Sequence, residues 1–181
     1  MASALNRAER LSVYADAVRA SVAAVPDGVH DQFVQGVLQS DQIVVAGRGR
    51  SGMMASAFAR RLGQMGLRAW GLDDTTVPRL GPGDTLVACT GSGETPTVLS
   101  LMRTARTGGA RVLAVTRTGA EPALTADVVV ELPVPHGGTI YPLGTLFEAS
   151  LLAYLDQVVV DLIAALGATE SELGARHTNL E

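Results

Sequence analysis

Three hydroxyl side chains fall within six residues: Thr90, Ser92 and Thr95, in the run Cys89-Thr90-Gly91-Ser92-Gly93-Glu94-Thr95-Pro96. Gly91 and Gly93 let the backbone approach a bound group closely. Pro96 suits the first position of a helix, where its missing N–H costs nothing, and Thr95 suits the cap before it. A helix N-terminus with free amides and converging hydroxyls is an anion site whose fixed dipoles hold a phosphate without a basic residue. That suits this chain, because all 14 of its cationic side chains are arginine. The lack of lysine excludes Schiff-base chemistry, pyridoxal-phosphate catalysis of the usual kind and a Walker-type phosphate loop. Arginine binds oxygens but is a poor proton shuttle, so acid–base work falls to carboxylates, histidine or tyrosine.

A second loop, Gly47-Arg48-Gly49-Arg50-Ser51-Gly52, fits the dinucleotide pattern G-x-G-x-x-G, with Asp73 and Asp74 where a ribose-binding acid would stand. Alone, the pattern equally describes a tight strand-to-helix turn. A nicotinamide dehydrogenase needs one such loop for its pyrophosphate. Two loops at the carboxyl ends of neighbouring strands point instead to one small phosphorylated ligand held between them. The expected binding set is Gly49, Arg50 and Ser51 from the first loop, with Thr90, Gly91, Ser92 and Thr95 from the other. Arg50 has two readings: it orients a hydroxyl or screens developing negative charge, or it makes a salt bridge across the loop.

Among the carboxylates, Glu148 lies between Phe147 and Ala149 and close to Leu151 and Leu152 along a helix, an apolar setting suited to a general base. The structural alternative is a buried glutamate satisfied by an arginine or a helix terminus. Glu94 competes, but in the hydroxyl loop its charge opposes an anion unless it turns away. His177 lies in a polar tail, which by itself suggests a solvent-exposed residue. His30 and His136 read as incidental, and the three histidines lack metal-ligand spacing, so no metal is expected. Cys89, the only cysteine, excludes an internal disulfide and a cysteine-based zinc site and reads as a packing residue.

The elements that must position these groups follow from texture. Residues 1–40 read as two helices broken at Pro26-Asp27-Gly28, with Asp27 as cap of the second. Short apolar runs at Ile43–Ala46, Leu67–Leu72, Thr85–Cys89, Arg111–Thr116 and Asp127–Glu131 read as five strands. Helices are expected at Ser51–Met65 and Pro96–Thr107, and a loop between strands two and three. Runs without alternation, separated by helices, indicate a parallel sheet covered on both faces. The expected fold is thus α/β, a three-layer α-β-α sandwich with a five-stranded parallel sheet in the flavodoxin-like order 2-1-3-4-5, its ligand crevice between strands one and three. A long helix from about Leu143 to Leu166 is apolar around most of its girth, which predicts burial partly against another subunit. The 181 residues make one expected domain, with helices in 1–40, sheet core in 41–132 and C-terminal helix and polar tail in 142–181.

Composition bounds the setting. A hydrophobic share of 47% supports a real core, and a net charge of −4 gives no global field for nucleic acid. Glu148, Asp156, Gln157 and Asp161 interrupt the longest apolar stretch, so no membrane span is expected. No export signal follows Arg7, Glu9 and Arg10, so the expected location is the cytoplasm.

The C-T-G-S-G-E-T loop, behind the earlier G-R-G-R-S-G loop, resembles the sugar isomerase (SIS) domain family, with Thr90 where that family usually has serine and Arg48 in place of a smaller residue. Within it, Pro142-Leu143-Gly144-Thr145-Leu146-Phe147-Glu148 and the ending Arg176-His177-Thr178-Asn179-Leu180-Glu181 resemble the 6-phospho-3-hexuloisomerases. The resemblance covers essentially the whole chain. It implies interconversion of arabino-3-hexulose 6-phosphate and fructose 6-phosphate in the ribulose monophosphate route, with no organic cofactor and a homotetrameric assembly. It also implies Glu148 as the base that forms an enediol(ate), and His177 as a second catalytic group reaching a neighbouring subunit's site. The alternatives are another SIS isomerase acting on a pentose or heptose phosphate, and a non-catalytic sugar-phosphate sensor.

Overall fold

Residues Ile43–Ala46, Ala69–Gly71, Thr85–Thr90, Arg111–Arg117 and Val128–Leu132 form strands β1 to β5 in the computed structural model of the chain. The structure describes residues 5–120, 126–135, 137 and 139–180; His136 and Glu181 lie outside them. All four pairings are parallel, and the order is β2-β1-β3-β4-β5. The central strands β1 and β3 are buried at every position, which their uninterrupted apolar runs require.

Helices α1 (Arg7–Ala23), α2 (Asp27–Leu38), α3 (Gly49–Gln64), α4 (Pro96–Thr107), α5 (Thr145–Leu166) and α6 (Glu170–Ala175) complete the fold. The sheet separates two apolar clusters. Ile43, Val45, Val87, Leu113 and Val115 face α2, α3 and α5, whereas Val44, Leu86, Ala88, Val112 and Ala114 face α4 and the β2–β3 loop. The helical layers are therefore unequal, because the connections after β2 and β4 supply no further helix among the described residues.

The long helix α5 has the length and apolar composition to cross a membrane, with a mean hydropathy of 1.7 over its most apolar window. Its inner face is instead core: Leu151, Leu155, Val158 and Leu162 are fully buried. Tyr154 meets Phe33 edge-on with ring centroids 5.7 Å apart. Across the same contact His30 Nε2 lies 2.7 Å from Asp161 Oδ2, so His30 has a structural place rather than an incidental one. Only the outer side, with Val160 and Leu166 exposed, departs from full burial.

Other differences from expectation have local causes. β2 is shorter than 67–72 because Leu67 N still donates to Leu62 O, closing α3. Pro26, not Asp27, caps α2, and Asp27 sits in the first turn, where its charge favours the helix dipole. The polar tail contains α6, opened by a capping box between Thr169 and Glu172.

Cys89 is fully buried, and desolvation pushes its thiol up to about 12. It should not react with a thiol reagent in the folded protein at neutral pH, because the thiolate is the nucleophile. Labelling in denaturant should follow the loss of ellipticity; fast labelling of native protein would contradict this burial.

Candidate functional site

In a parallel sheet every strand delivers its C-terminal end to the same edge. The loops after β1, β3 and β4 and the start of α5 meet there. A cavity of about 220 Å³ is lined by Ser51, Gly91, Ser92, Thr95, Arg117 and Phe147, with Leu143 and Gly144 at its wall. A larger cavity of about 600 Å³ lies between α4 and the β2–β3 loop, walled mainly by apolar side chains such as Val44, Leu72 and Leu86. The smaller one holds the converging hydroxyls of Ser51, Ser92 and Thr95 and is the candidate site.

Thr95 is the cap residue of α4, yet its side chain does not cap the helix. Its Oγ1 lies 3.1 Å from Thr90 Oγ1 and 3.5 Å from Ser92 Oγ. Pro96 occupies the next position and has no N–H to satisfy. The first amides of α4 thus keep their capacity for an anion, and the hydroxyls form a cluster beside them. Thr90 is 2% exposed and lies beneath the loop, where its backbone oxygen accepts from Thr116 Oγ1 at 2.7 Å. Its hydroxyl therefore orients Thr95. Glu94 is exposed and outside the cavity.

Gly91 has a packing role that its surroundings define. A Cβ there would stand 2.7 Å from Phe147 Cδ1, so the ring seats directly on the glycine. That contact sets the start of α5 against the hydroxyl loop. The next residue, Glu148, sits in the first turn of α5, where the helix dipole favours a negative charge. A Cβ on Gly144, in the cavity wall, would lie 3.3 Å from Glu148 Oε1. Arg50 Nε lies 2.8 Å from Glu148 Oε2, and the Glu148 side chain is only 14% exposed. The pair is held by charge: its angle falls short of a directed hydrogen bond, so a lone pair on the buried Oε2 stays uncommitted. This ion pair is the structural alternative read for both side chains; it lies behind the Gly144 wall, and neither Arg50 nor Glu148 is among the residues that line the cavity.

The first loop divides between two sites. Gly47 and Gly52 pack so closely that a Cβ on either would come within about 3.0 Å of the other's backbone, the tight-turn reading of the motif. Ser51 faces the hydroxyl cavity, but Gly49, with φ +58°, lines an adjoining cavity with Arg48 and Asp73. Arg48 Nη1 pairs with Asp73 Oδ1 at 3.3 Å, and Asp74 Oδ2 accepts from Gly71 N at 2.9 Å. These acids serve the local fold rather than a ribose.

His177 lies elsewhere. Arg176 packs on Gly66 and donates to Gln64 O at 3.3 Å, which ties the tail to the C-terminal end of α3. From Ser51 to Gln64 that helix spans roughly 20 Å at about 1.5 Å per residue. His177 is exposed at this far end, away from its own chain's cavity. In contrast, the sequence reading overlooked Arg117. Its signal was present: it is the residue after Thr116 at the carboxyl end of β4, next to the loop that follows β3.

The SIS domain family model matches residues 37–155. The chain is 34% identical to the 3-hexulose-6-phosphate isomerase of Bacillus subtilis over 169 residues, covering 89% of this chain and 91% of that one. It is 35% identical to the Mycobacterium gastri protein of the same name over 178 residues, covering 94% and 89%. A crystal structure of a Methanococcus jannaschii protein, for which a 3-hexulose-6-phosphate isomerase function was inferred, superposes with a TM-score of 0.87 at 27% identity. It covers 96% of this chain and 99% of that one.

Gly91→Ala should lower stability by about 1–3 kcal/mol through the clash with Phe147. Phe147→Leu should recover part of that loss in the double variant, a coupling that denaturant titration of all four proteins measures. Strict additivity would contradict the contact.

Proposed function

The chain belongs to the SIS domain family, and from that premise we propose that it interconverts D-arabino-3-hexulose 6-phosphate and fructose 6-phosphate through an enediol(ate). It is a sugar-phosphate isomerase. The proposed setting is the ribulose monophosphate route of formaldehyde fixation, in the cytoplasm, run forwards or in reverse for pentose supply. Support comes from the relatives' shared name and from one observation above all. A largely buried carboxylate, Glu148, stands behind Gly144 in the wall of a cavity whose other side is a hydroxyl loop at a helix N-terminus.

In this reading Ser51, Gly91, Ser92 and Thr95, with the first amides of α4, hold the phosphate. Thr90 keeps Thr95 in place, and Gly49 shapes the first loop. The carbons next to the carbonyl then lie toward Glu148. Its carboxylate removes the proton from carbon 2 of the 3-hexulose, electrons move onto the carbonyl oxygen, and the same group returns a proton to carbon 3. Arg50, already beside Glu148, screens the charge that develops on the enediolate oxygen. His177 relays the proton between the two substrate oxygens from a neighbouring copy, since its own chain carries it to the far end of α3. A homo-oligomer, a tetramer in this proposal, completes the site. Exposed apolar side chains such as Leu11, Val13, Met53 and Val160 offer surface for its contacts.

Incubation with fructose 6-phosphate in deuterated water should place deuterium at carbon 3. Exchange at carbon 1 instead would favour an aldose–ketose isomerase, and no exchange would favour a sensor. Glu148→Gln should cut kcat by about 10²- to 10⁴-fold, with affinity for fructose 6-phosphate kept within about tenfold. Near-normal turnover would remove Glu148 from the role. Mixing inactive Glu148→Gln with inactive His177→Asn chains, after dissociation and reassembly, should restore activity. Failure to complement in demonstrated mixed oligomers would contradict a site shared between copies.

A further inference from the structure

We propose that Arg117 is a substrate-binding residue, the cationic arm that meets the phosphate monoester in the cavity after β3 and selects its dianion. This deepens the reading above and rests on it. Arg117 is the last residue of β4 and lines the same cavity as Ser51, Ser92 and Thr95. Its Nε donates to Gly91 O at 3.3 Å, which fixes the guanidinium against the hydroxyl loop. No carboxylate pairs with it among the described residues.

The acids and cations around it are otherwise engaged. Glu148 is held by Arg50, and Asp73 by Arg48. Glu131, opposite Thr116 on β5, accepts from Gly119 N at 3.3 Å. Glu94 points to solvent. A half-buried guanidinium among hydroxyls, with one nitrogen anchored and no counter-ion, is suited to take a charged oxygen ligand through its remaining donors. Helix amides and hydroxyls alone hold either ionic form of a monoester. The second ionisation of such a phosphate lies near about pH 6, so a fixed cation beside it favours the doubly charged form.

Calorimetric titration of the full chain with fructose 6-phosphate, and separately with inorganic phosphate, tests this between about pH 5 and about pH 8. Wild-type protein should bind both ligands more tightly at the upper end. Arg117→Gln should weaken both by about 10- to 100-fold there, with a flattened pH profile, while its melting temperature shows that it is folded. Arg117→Lys, which keeps the charge but not the fork, should fall between and carries the test if the glutamine variant does not fold. Binding by Arg117→Gln within about twofold of wild type would overturn the proposal. So would an equal loss at both ends of the pH range with no rescue by lysine, the mark of a residue that only positions Gly91. Phosphate binding that depends on Arg117, without any binding of fructose 6-phosphate, would keep Arg117 as an anion ligand and defeat the hexulose reading. A wild-type protein that binds neither ligand would defeat both.

Discussion

The seating of the Phe147 ring on Gly91 is the contact on which the site depends. It joins two parts of the chain that the sheet alone does not relate: the loop that ends β3 and the first turn of α5. Because Glu148 follows Phe147 directly, the contact also fixes how far the carboxylate stands from the hydroxyl loop. A site that grips one end of a small molecule and moves a proton at the other needs that separation held within a fraction of an ångström. A bare α-carbon and a flat ring meet it without a flexible intermediary, and the core behind α5 supports the ring.

Charge is distributed to the same end. The arginines around the loops are not interchangeable. Arg48 is tied to Asp73 and braces the first loop. Arg50 sits on Glu148 and balances the carboxylate that stands behind the Gly144 wall of the cavity. Arg117 is anchored by a backbone oxygen and keeps its charge for the cavity itself. The turned-away hydroxyl of Thr95 follows the same logic: an ordinary cap would satisfy an amide of α4, whereas this one makes no cap hydrogen bond and joins the hydroxyl cluster instead.

The centre of the sheet was legible because β1 and β3 are short apolar runs buried at every position, without the alternation of a surface strand. The order 2-1-3-4-5 came with the flavodoxin-like fold, and the two glycine loops marked β1 and β3 as the strands that flank the crevice. The start of α4 was legible from Thr95-Pro96. What was not legible involves partners distant in sequence. Nothing local says that Gly91 must lack a side chain because of Phe147, or that Arg50 will face Glu148. Arg117 was missed because strand four was read as ending at Thr116, one residue before the edge where all the loops converge. The helix α6 was missed although Thr169 and Glu172 have capping-box spacing, because the tail's polarity hid it. His177 could be singled out only by resemblance, and its distance from its own cavity came from the way Arg176 docks on α3.

The central claim is that one monoester sits at the Ser92–Thr95 loop while its carbonyl carbons lie at Glu148. A crystal structure of the Glu148→Gln protein with fructose 6-phosphate tests it most directly. The expected result is phosphate oxygens on Ser92, Thr95 and the first amides of α4, with carbons 2 and 3 beside residue 148. A phosphate bound in the adjoining cavity of Gly49, Arg48 and Asp73, or carbons 2 and 3 remote from residue 148, would contradict the claim.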